Sequence, residues 1–366
     1  MANIIHFHPS FKMANRFVKP LIMQEQRLGN KSKLVVSEET TMNSEALYFN
    51  FKINFYNLIF FPIRIIQFYF FIKKLKPSAV FVHNSTASLL PLLVSKLLKI
   101  KHRIYYNHGV PYVSYRGILR YLLFFLEYLN CKFSTNLITV SNEMKNILSK
   151  FNNGEISIIN FGSACGIDLK SFKKNNNKIK ILKNEKNFKP NDFLVLYVGR
   201  PHERKGFKIS IELWKKFFKK NNEKLLMCGC NSEDIKKIYG KVPQNIIPMG
   251  FVKDIEKIYQ ISDMLILPSM HEGFPYAILE AMASNCVVVA NDVWGIKSLI
   301  KNGNNGFLIV KNDLEEYARI INLLISDINF RQKITKAALT DVKKYSRKDF
   351  LFEYANFINS KLNYKN

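Results

Sequence analysis

The sequence predicts an α/β protein of two doubly wound, Rossmann-like domains facing a central cleft. Three observations point there. Strand-like runs alternate with helical ones along most of the chain, the pattern of βαβ units and parallel sheets. The alternation breaks once, in a lysine-rich stretch, and then restarts. The 366 residues are too many for one core and comfortable for two.

In the first half, strands are expected near Asn3 to Phe7, Lys33 to Val36, Ala79 to Val82, Arg103 to Asn107 and Leu137 to Val140, with a last one near Glu155 to Asn160. Residues 1–172 are expected as the amino-terminal domain. Between Lys173 and Lys189 there are seven lysines against one glutamate, with many asparagines and almost no periodicity, so residues 173–192 read as a linker. The second domain, 193–345, restarts with strands at Phe193 to Val198, Lys224 to Cys228, Ile246 to Phe251, Met264 to Leu267, Val287 to Ala290 and Phe307 to Val310. Residues 346–366 are expected as a helix that packs back on the first domain.

A hydrophobic content of 48% excludes general disorder. The five cysteines lie in apolar or strand-like segments, and no signal peptide precedes Asn3, which fits a reduced, cytoplasmic compartment. Cys228-Gly229-Cys230 has the wrong spacing for zinc and reads as buried strand-end thiols. The net charge of +27 raises a nucleic-acid-binding reading, but no groove-reading or base-stacking module is visible. The distribution of charge says more. From Ala46 to Leu126, 81 residues contain no Asp or Glu, 11 Lys or Arg and 19 aromatics. The helix-like piece Asn57 to Lys76 carries Arg64, Lys73 and Lys74 among phenylalanines. It is interrupted too soon to span a bilayer, which needs about 20 mostly apolar residues. Lying on an anionic membrane is one reading, with the protein held at the inner face of the cytoplasmic membrane; a core helix with a basic solvent face is the other. Gly117 to Leu129, preceded by Arg116, poses the same choice.

The stretch Pro268 to Ala283 sets Glu272 in a loop and Glu280 about one and a half turns inside the following helix. Pro275 is expected at the first helical position, where its missing N–H costs nothing, and the helix start suits an anion. The second domain opens with strand, Gly199-Arg200, a short loop and Lys205-Gly206. Such a loop lets backbone and cations approach a phosphate, with Arg200 as a fork and Lys205 as a mobile charge.

Taken together, Gly199-Arg200 to Lys205-Gly206, Met249-Gly250-Phe251-Val252, the Glu272 to Glu280 segment and Asn302 to Leu308 resemble the retaining GT-B glycosyltransferases of family 4. Within that family the chain is similar to bacterial enzymes that build O-antigen or capsule repeat units. Tyr106-Asn107-His108-Gly109 and Asn160-Phe161-Gly162 give a looser match in the first half. The resemblance implies that Glu280 bonds the nucleotide ribose and that Glu272 faces the transferred sugar, helped by the amides of Gly273 and Phe274. It implies that Arg200 and Lys205 neutralise the diphosphate, that Gly250, Phe251 and Val252 border the base, and that His108 lines the cleft beside the sugar. The implied activity is transfer from a nucleotide-sugar donor, a UDP-sugar, to a lipid-linked or saccharide acceptor.

The residue chemistry is consistent with this. Breaking a sugar–phosphate bond builds negative charge on the leaving diphosphate, which preorganised cations stabilise. Metal-dependent transferases meet that need with paired aspartates, yet the sequence has no Asp-x-Asp, so neither metal nor cofactor is expected. No carboxylate stands out as a covalent nucleophile, which favours front-face substitution. One departure lies after the first strand, where family members often carry glycines. Here Lys12, Asn15 or Arg16 would substitute with side chains on the acceptor side. His6 and His8 fall on one strand face with no carboxylate expected nearby, so a metal there is not expected. A nucleotide-sugar epimerase on the same architecture is the competing enzyme.

Overall fold

The computed structural model describes residues 1–38, 46–52, 60–151, 154–220, 222–311 and 313–362. The chain divides into two compact units, 1–166 with 347–366, and 167–346.

In the first unit, strands β1 (Asn3–His8), β2 (Lys31–Val36), β3 (Ala46–Tyr48), β4 (Ala79–His83), β5 (His102–Asn107), β6 (Asn136–Thr139) and β7 (Ile156–Ile158) form a sheet in the order β3-β2-β1-β4-β5-β6-β7. Every pairing is parallel. The order reverses between β1 and β4, which makes the carboxyl ends of those two strands the place for a ligand. The intervening helices are α1 (Phe11–Phe17), α2 (Lys19–Arg27), α3 (Phe61–Leu75), α4 (Leu89–Leu97), α5 (Gly117–Phe133) and α6 (Asn142–Leu148). Right-handed crossovers put α2 on one face of the sheet and α3, α4 and α5 on the other; α3 packs on α4, and α4 on α5.

The second unit is a six-stranded parallel sheet. Its helices begin with α7 (Leu169–Phe172), α8 (Asn176–Glu185), α9 (Phe207–Phe217) and α10 (Ser232–Tyr239), and continue with α11 (Ile255–Ile261), α12 (Tyr276–Ala283), α13 (Leu314–Ser326) and α14 (Ile328–Val342). Strands β8 (Phe193–Val198), β9 (Glu223–Cys228), β10 (Ile246–Gly250), β11 (Met264–Leu267), β12 (Val287–Asn291) and β13 (Phe307–Ile309) run in the order β10-β9-β8-β11-β12-β13. Alternate residues of β8 serve two cores, Leu194 and Leu196 in one, Val195 and Tyr197 in the other. This is why the strand reads as an unbroken apolar run. The order reverses between β8 and β11.

Several expectations change. The segment read as a linker, 173–192, holds α8, because Ile179 and Leu182, three apart, lay one apolar edge on the second core. The three-residue β3 had no readable pattern. The aromatic helix begins at Phe61; Asn57 lies outside the described residues. Pro275 is the residue before α12, extended at φ −78 and ψ 100, and not its first helical residue. The glycine-free segment after β1 becomes helix α1. The final helix α15 (Arg347–Leu362) belongs to the first unit and packs on α2.

Candidate active site

At the switch point of the second sheet, the loops after β8 and β11 are tied together. Arg204 offers its carbonyl to the Met270 amide at 2.9 Å, and Lys205 Nζ pairs with Glu272 Oε1 at 2.7 Å. Gly206 allows the approach. Its φ is +69°, and a Cβ there would stand 2.2 Å from the Pro268 carbonyl oxygen. A third loop, after β12, supports Glu272: its amide donates to Trp294 O at 3.3 Å, and Gly295, at φ +77°, leaves room for the Glu272 carbonyl.

Around this pair the predicted donor residues take definite places. Arg200 is exposed immediately beyond β8, its carbonyl accepting from Tyr197 Oη at 3.2 Å. Gly199 donates to Cys228 O at 2.9 Å, and Gly250, at φ +62°, ends β10 beside a register shift. Phe251 is 68% exposed and Val252 is half-buried at the same sheet edge. Gly273 is half-buried; Phe274 packs edge-on against Tyr345. Glu280 is only 2% exposed, so it is not a charge held in solvent on the helix face. The structure thus joins Lys205 directly to Glu272, a pairing that the motifs did not announce. His271, half-buried near Arg204, titrates below its ordinary range, first because of burial and then because of that guanidinium.

The first unit gathers histidines at its own switch point. His6 Nδ1 lies 3.0 Å from His83 Nε2, and His83 Nδ1 lies 3.1 Å from His108 Nε2. At the far end His6 Nε2 is 3.0 Å from both oxygens of Glu25, which also accepts from Tyr354 Oη. A carboxylate therefore does lie beside His6, contrary to expectation. It comes from α2, and nothing in the spacing of His6 and Glu25 signals the contact. His8 instead turns its Nδ1 to the backbone of Ser10. Among the described residues no group of three or more His, Cys, Asp or Glu is arranged to hold a metal.

The loop carrying His108 is held by a second buried network. Asn107 Nδ2 donates to Glu127 Oε1 at 2.8 Å, and Asn107 Oδ1 accepts from the Gly109 amide at 3.0 Å. Glu127 also accepts from Tyr105 Oη at 2.8 Å and from Ser85 Oγ. Burial pushes the Glu127 carboxyl up to about 7 despite these donors. Glu25, His83 and Glu127 escaped the sequence reading, which weighed His6 only as a metal ligand. A readable signal existed for the histidines: His8 and His83 each end a parallel strand, and His108 follows directly on a third.

On α1, Lys12, Asn15 and Arg16 are exposed; Arg16 stacks over the Phe17 ring at 5.3 Å. On α3, Lys73 and Lys74 are exposed, and Arg64 donates to the Lys52 carbonyl at 3.0 Å. The cysteines are free and buried, and burial pushes Cys228 and Cys230 up to about 12.

Residues 178–341 match the family of glycosyl transferases group 1, and residues 14–169 match glycosyltransferase family 4. The chain is a GT-B glycosyltransferase of family 4. This glycosyltransferase is 28% identical over 272 residues to a capsular polysaccharide biosynthesis glycosyltransferase, CapM, of Staphylococcus aureus, covering 71% of this chain and 70% of that one. It is 29% identical over 273 residues to the UDP-Gal:alpha-D-GlcNAc-diphosphoundecaprenol alpha-1,3-galactosyltransferase of Escherichia coli, covering 71% and 69%. In fold it is similar to HepE of Anabaena, solved with UDP and glucose, at a TM-score of 0.82 and 17% identity over 98% of this chain and all of that one. WaaG, a glycosyltransferase involved in lipopolysaccharide biosynthesis, gives a TM-score of 0.77 at 16% identity over 97% and 99%. These matches give no support to the epimerase reading.

Proposed function

We propose that the enzyme transfers a sugar from a UDP-sugar to a lipid-linked acceptor in cell-surface polysaccharide biosynthesis, with retention of anomeric configuration and without a metal. The observation that carries this reading is the Lys205–Glu272 pair at the switch point of the second sheet. It sets a cation and a carboxylate together beside the exposed Arg200. In the bound complex Arg200 and Lys205 hold the diphosphate, Glu272 turns to the sugar hydroxyls and Glu280 to the ribose. As the sugar–phosphate bond breaks, charge grows on oxygens already facing these cations, so little reorganisation is needed. With no Asp-x-Asp in the sequence, the two basic side chains take the place of a metal. The names of the S. aureus and E. coli relatives support the capsule or O-antigen setting, and the latter's supports a UDP donor and a diphospholipid acceptor.

The test supplies UDP-glucose, UDP-galactose, their N-acetylated forms and the GDP-sugars with a synthetic polyprenyl-diphosphate N-acetylglucosamine. Product is followed by mass spectrometry, and its anomeric configuration by proton NMR. An α-linked disaccharide formed with a UDP-sugar in excess EDTA is expected. Preference for GDP-sugars, loss of activity in EDTA that added metal restores, or an inverted product would each refute the corresponding part.

A further inference from the structure

We infer that Trp294 is a sugar-binding platform, its exposed indole stacking on the C–H face of a pyranose ring held beside Glu272. The chain has two tryptophans, and their surroundings are opposite. Trp214 is fully buried in α9, stacked on Phe218 with centroids 4.4 Å apart, and its Nε1–H donates to the Glu223 carbonyl at 3.4 Å. Trp294 is 56% exposed in the loop after β12, and among the described residues its ring has no stacking partner and no hydrogen bond. A large apolar ring left in water forgoes the burial that stabilises Trp214.

The backbone that carries this ring is fixed. The Trp294 carbonyl accepts from the Glu272 amide at 3.3 Å. Gly295 follows at φ +77°, so close that a Cβ would meet the carbonyl oxygens of Glu272 at 2.2 Å and Gly273 at 2.9 Å. On the other side, the Val293 amide donates to the Asn291 carbonyl at 2.9 Å. Asn291 is locked in turn: its Nδ2 donates to the Ser269 carbonyl at 3.2 Å, and its Oδ1 accepts from Tyr317 Oη at 3.0 Å. Trp294 and Glu272 therefore sit on loops that are tied to one another and to the ends of β11 and β12. An open aromatic on a rigid loop offers a large contact area with few rotamers to freeze on binding.

The chemistry of the ring selects its occupant. A pyranose has a polar rim of hydroxyls and a face of C–H bonds that carry slight positive charge, which meets the negative face of the indole quadrupole. The hydroxyl rim stays available to the Glu272 carboxylate, and the indole N–H can donate to one hydroxyl. The same π face repels a phosphate. This placement rests on the proposed role of Glu272 toward sugar hydroxyls, and every residue it uses lies within 167–346. Two rings have the required chemistry, the transferred sugar and the sugar of the acceptor, and the ligands chosen tell them apart.

Acrylamide quenching of tryptophan fluorescence in the full-length protein reads Trp294, because Trp214 is shielded by burial. The ligands are UDP, GDP, their glucose, galactose and N-acetylglucosamine forms, and a short alkyl-diphosphate N-acetylglucosamine. Shielding by a nucleotide-sugar beyond that given by its own nucleotide assigns the platform to the transferred sugar; shielding by the alkyl-diphosphate sugar alone assigns it to the acceptor. No shielding by any sugar ligand, or equal shielding by nucleotide and nucleotide-sugar, overturns the inference. By calorimetry, Trp294→Ala is expected to weaken the shielding ligand about tenfold, with the free nucleotide unchanged and Trp294→Phe restoring most of the loss. Equal affinity in the native enzyme and Trp294→Ala would overturn it as well. Glu272→Gln separates the two readings. If it leaves sugar affinity unchanged while Trp294→Ala lowers it, the carboxylate's role falls and the platform stands; the converse overturns the platform alone.

Discussion

Lys205 and Glu272 stand 67 residues apart in the chain and 2.7 Å apart in space, with the carboxylate side chain 9% exposed and the ammonium 25%. Because the pair is largely desolvated, neither charge is neutral in its effect when removed. Lys205→Met leaves an unpaired, poorly hydrated carboxylate and is expected to cost about 1–3 kcal/mol of stability by urea denaturation. Lys205→Met with Glu272→Gln should recover most of that. Transfer should stay down about a hundredfold or more in both, since the cation proposed to face the leaving group is gone. Full activity in the double variant would break the assignment.

Gly295 tests whether the backbone beneath Glu272 matters. A Cβ there would sit 2.2 Å from the Glu272 carbonyl oxygen in a residue already at φ +77°, so Gly295→Ala must displace the loop that carries the carboxylate. Gly240→Ala makes the control: φ is +72° with nothing within 4 Å, leaving only the backbone penalty of a positive φ. Activity is expected to collapse in the first variant and persist in the second at temperatures where both are folded.

The second domain was legible because its strands are short apolar runs bounded by Gly, Pro and Ser, and because its site follows chain order closely at strand ends. Glu280 could be placed from the helix period, and Glu272 in the loop ahead of it from the Pro and Gly that bound that loop. The Lys205–Glu272 pair could not, since it depends on β8 and β11 being neighbours, and sequence order does not state that. The same physics hid the histidine row. His6 and His83 meet because β1 pairs with β4, across a separation of 77 residues, and Glu25 joins from a helix on one sheet face. The linker reading failed on composition: seven lysines obscured the two apolar residues that seat α8.

Glu127 should make stability depend on pH in an unusual direction. Its carboxyl rises from an ordinary 4.5 to about 7 in the folded state, chiefly through burial. The folded protein therefore keeps the proton where the unfolded chain has lost it. Stability from this group is complete below about pH 4.5 and lost as pH rises toward 7, by on the order of 3 kcal/mol. Glu127→Gln removes that dependence. The stability of the native protein relative to this variant is expected to fall between pH 5 and pH 8 in urea titrations.

His8 pulls the opposite way on the acid side. Burial lowers it from 6.5 to about 4, so the folded state refuses a proton that the unfolded chain takes up. Stability is expected to decline as pH falls from about 6.5 through 4. His8→Asn, which can keep the Ser10 contact, should flatten that decline by up to roughly 3 kcal/mol. An unaltered acid limb would mean that His8 is not held neutral.

Helix α5 is inverted for a domain helix. It buries Glu127 and Asn130, while Ile118 is 79% exposed, Tyr121 74% and Phe125 57%. On α3, Ile66 and Phe70 are 59% and 62% exposed beside the exposed Lys73 and Lys74. No helix among the described residues is long and apolar enough to cross a membrane. Each helix carries an apolar stripe at helical spacing with basic residues beside it, Arg116 and Arg120 at α5 and Lys73 and Lys74 on α3, the chemistry that would let such a face lie on an anionic bilayer carrying the proposed lipid-linked acceptor. Tyr121→Ser with Phe125→Ser touches no buried side chain, so folding and transfer to a short soluble acceptor should hold. Flotation with phosphatidylglycerol vesicles is expected to drop about tenfold or more, given roughly 1.5–3 kcal/mol for each side chain fully withdrawn from water. Reversing Lys73 and Lys74 to glutamate should weaken flotation most at low salt. If both variants float like the native enzyme, the exposed stripe is not the surface that meets the membrane.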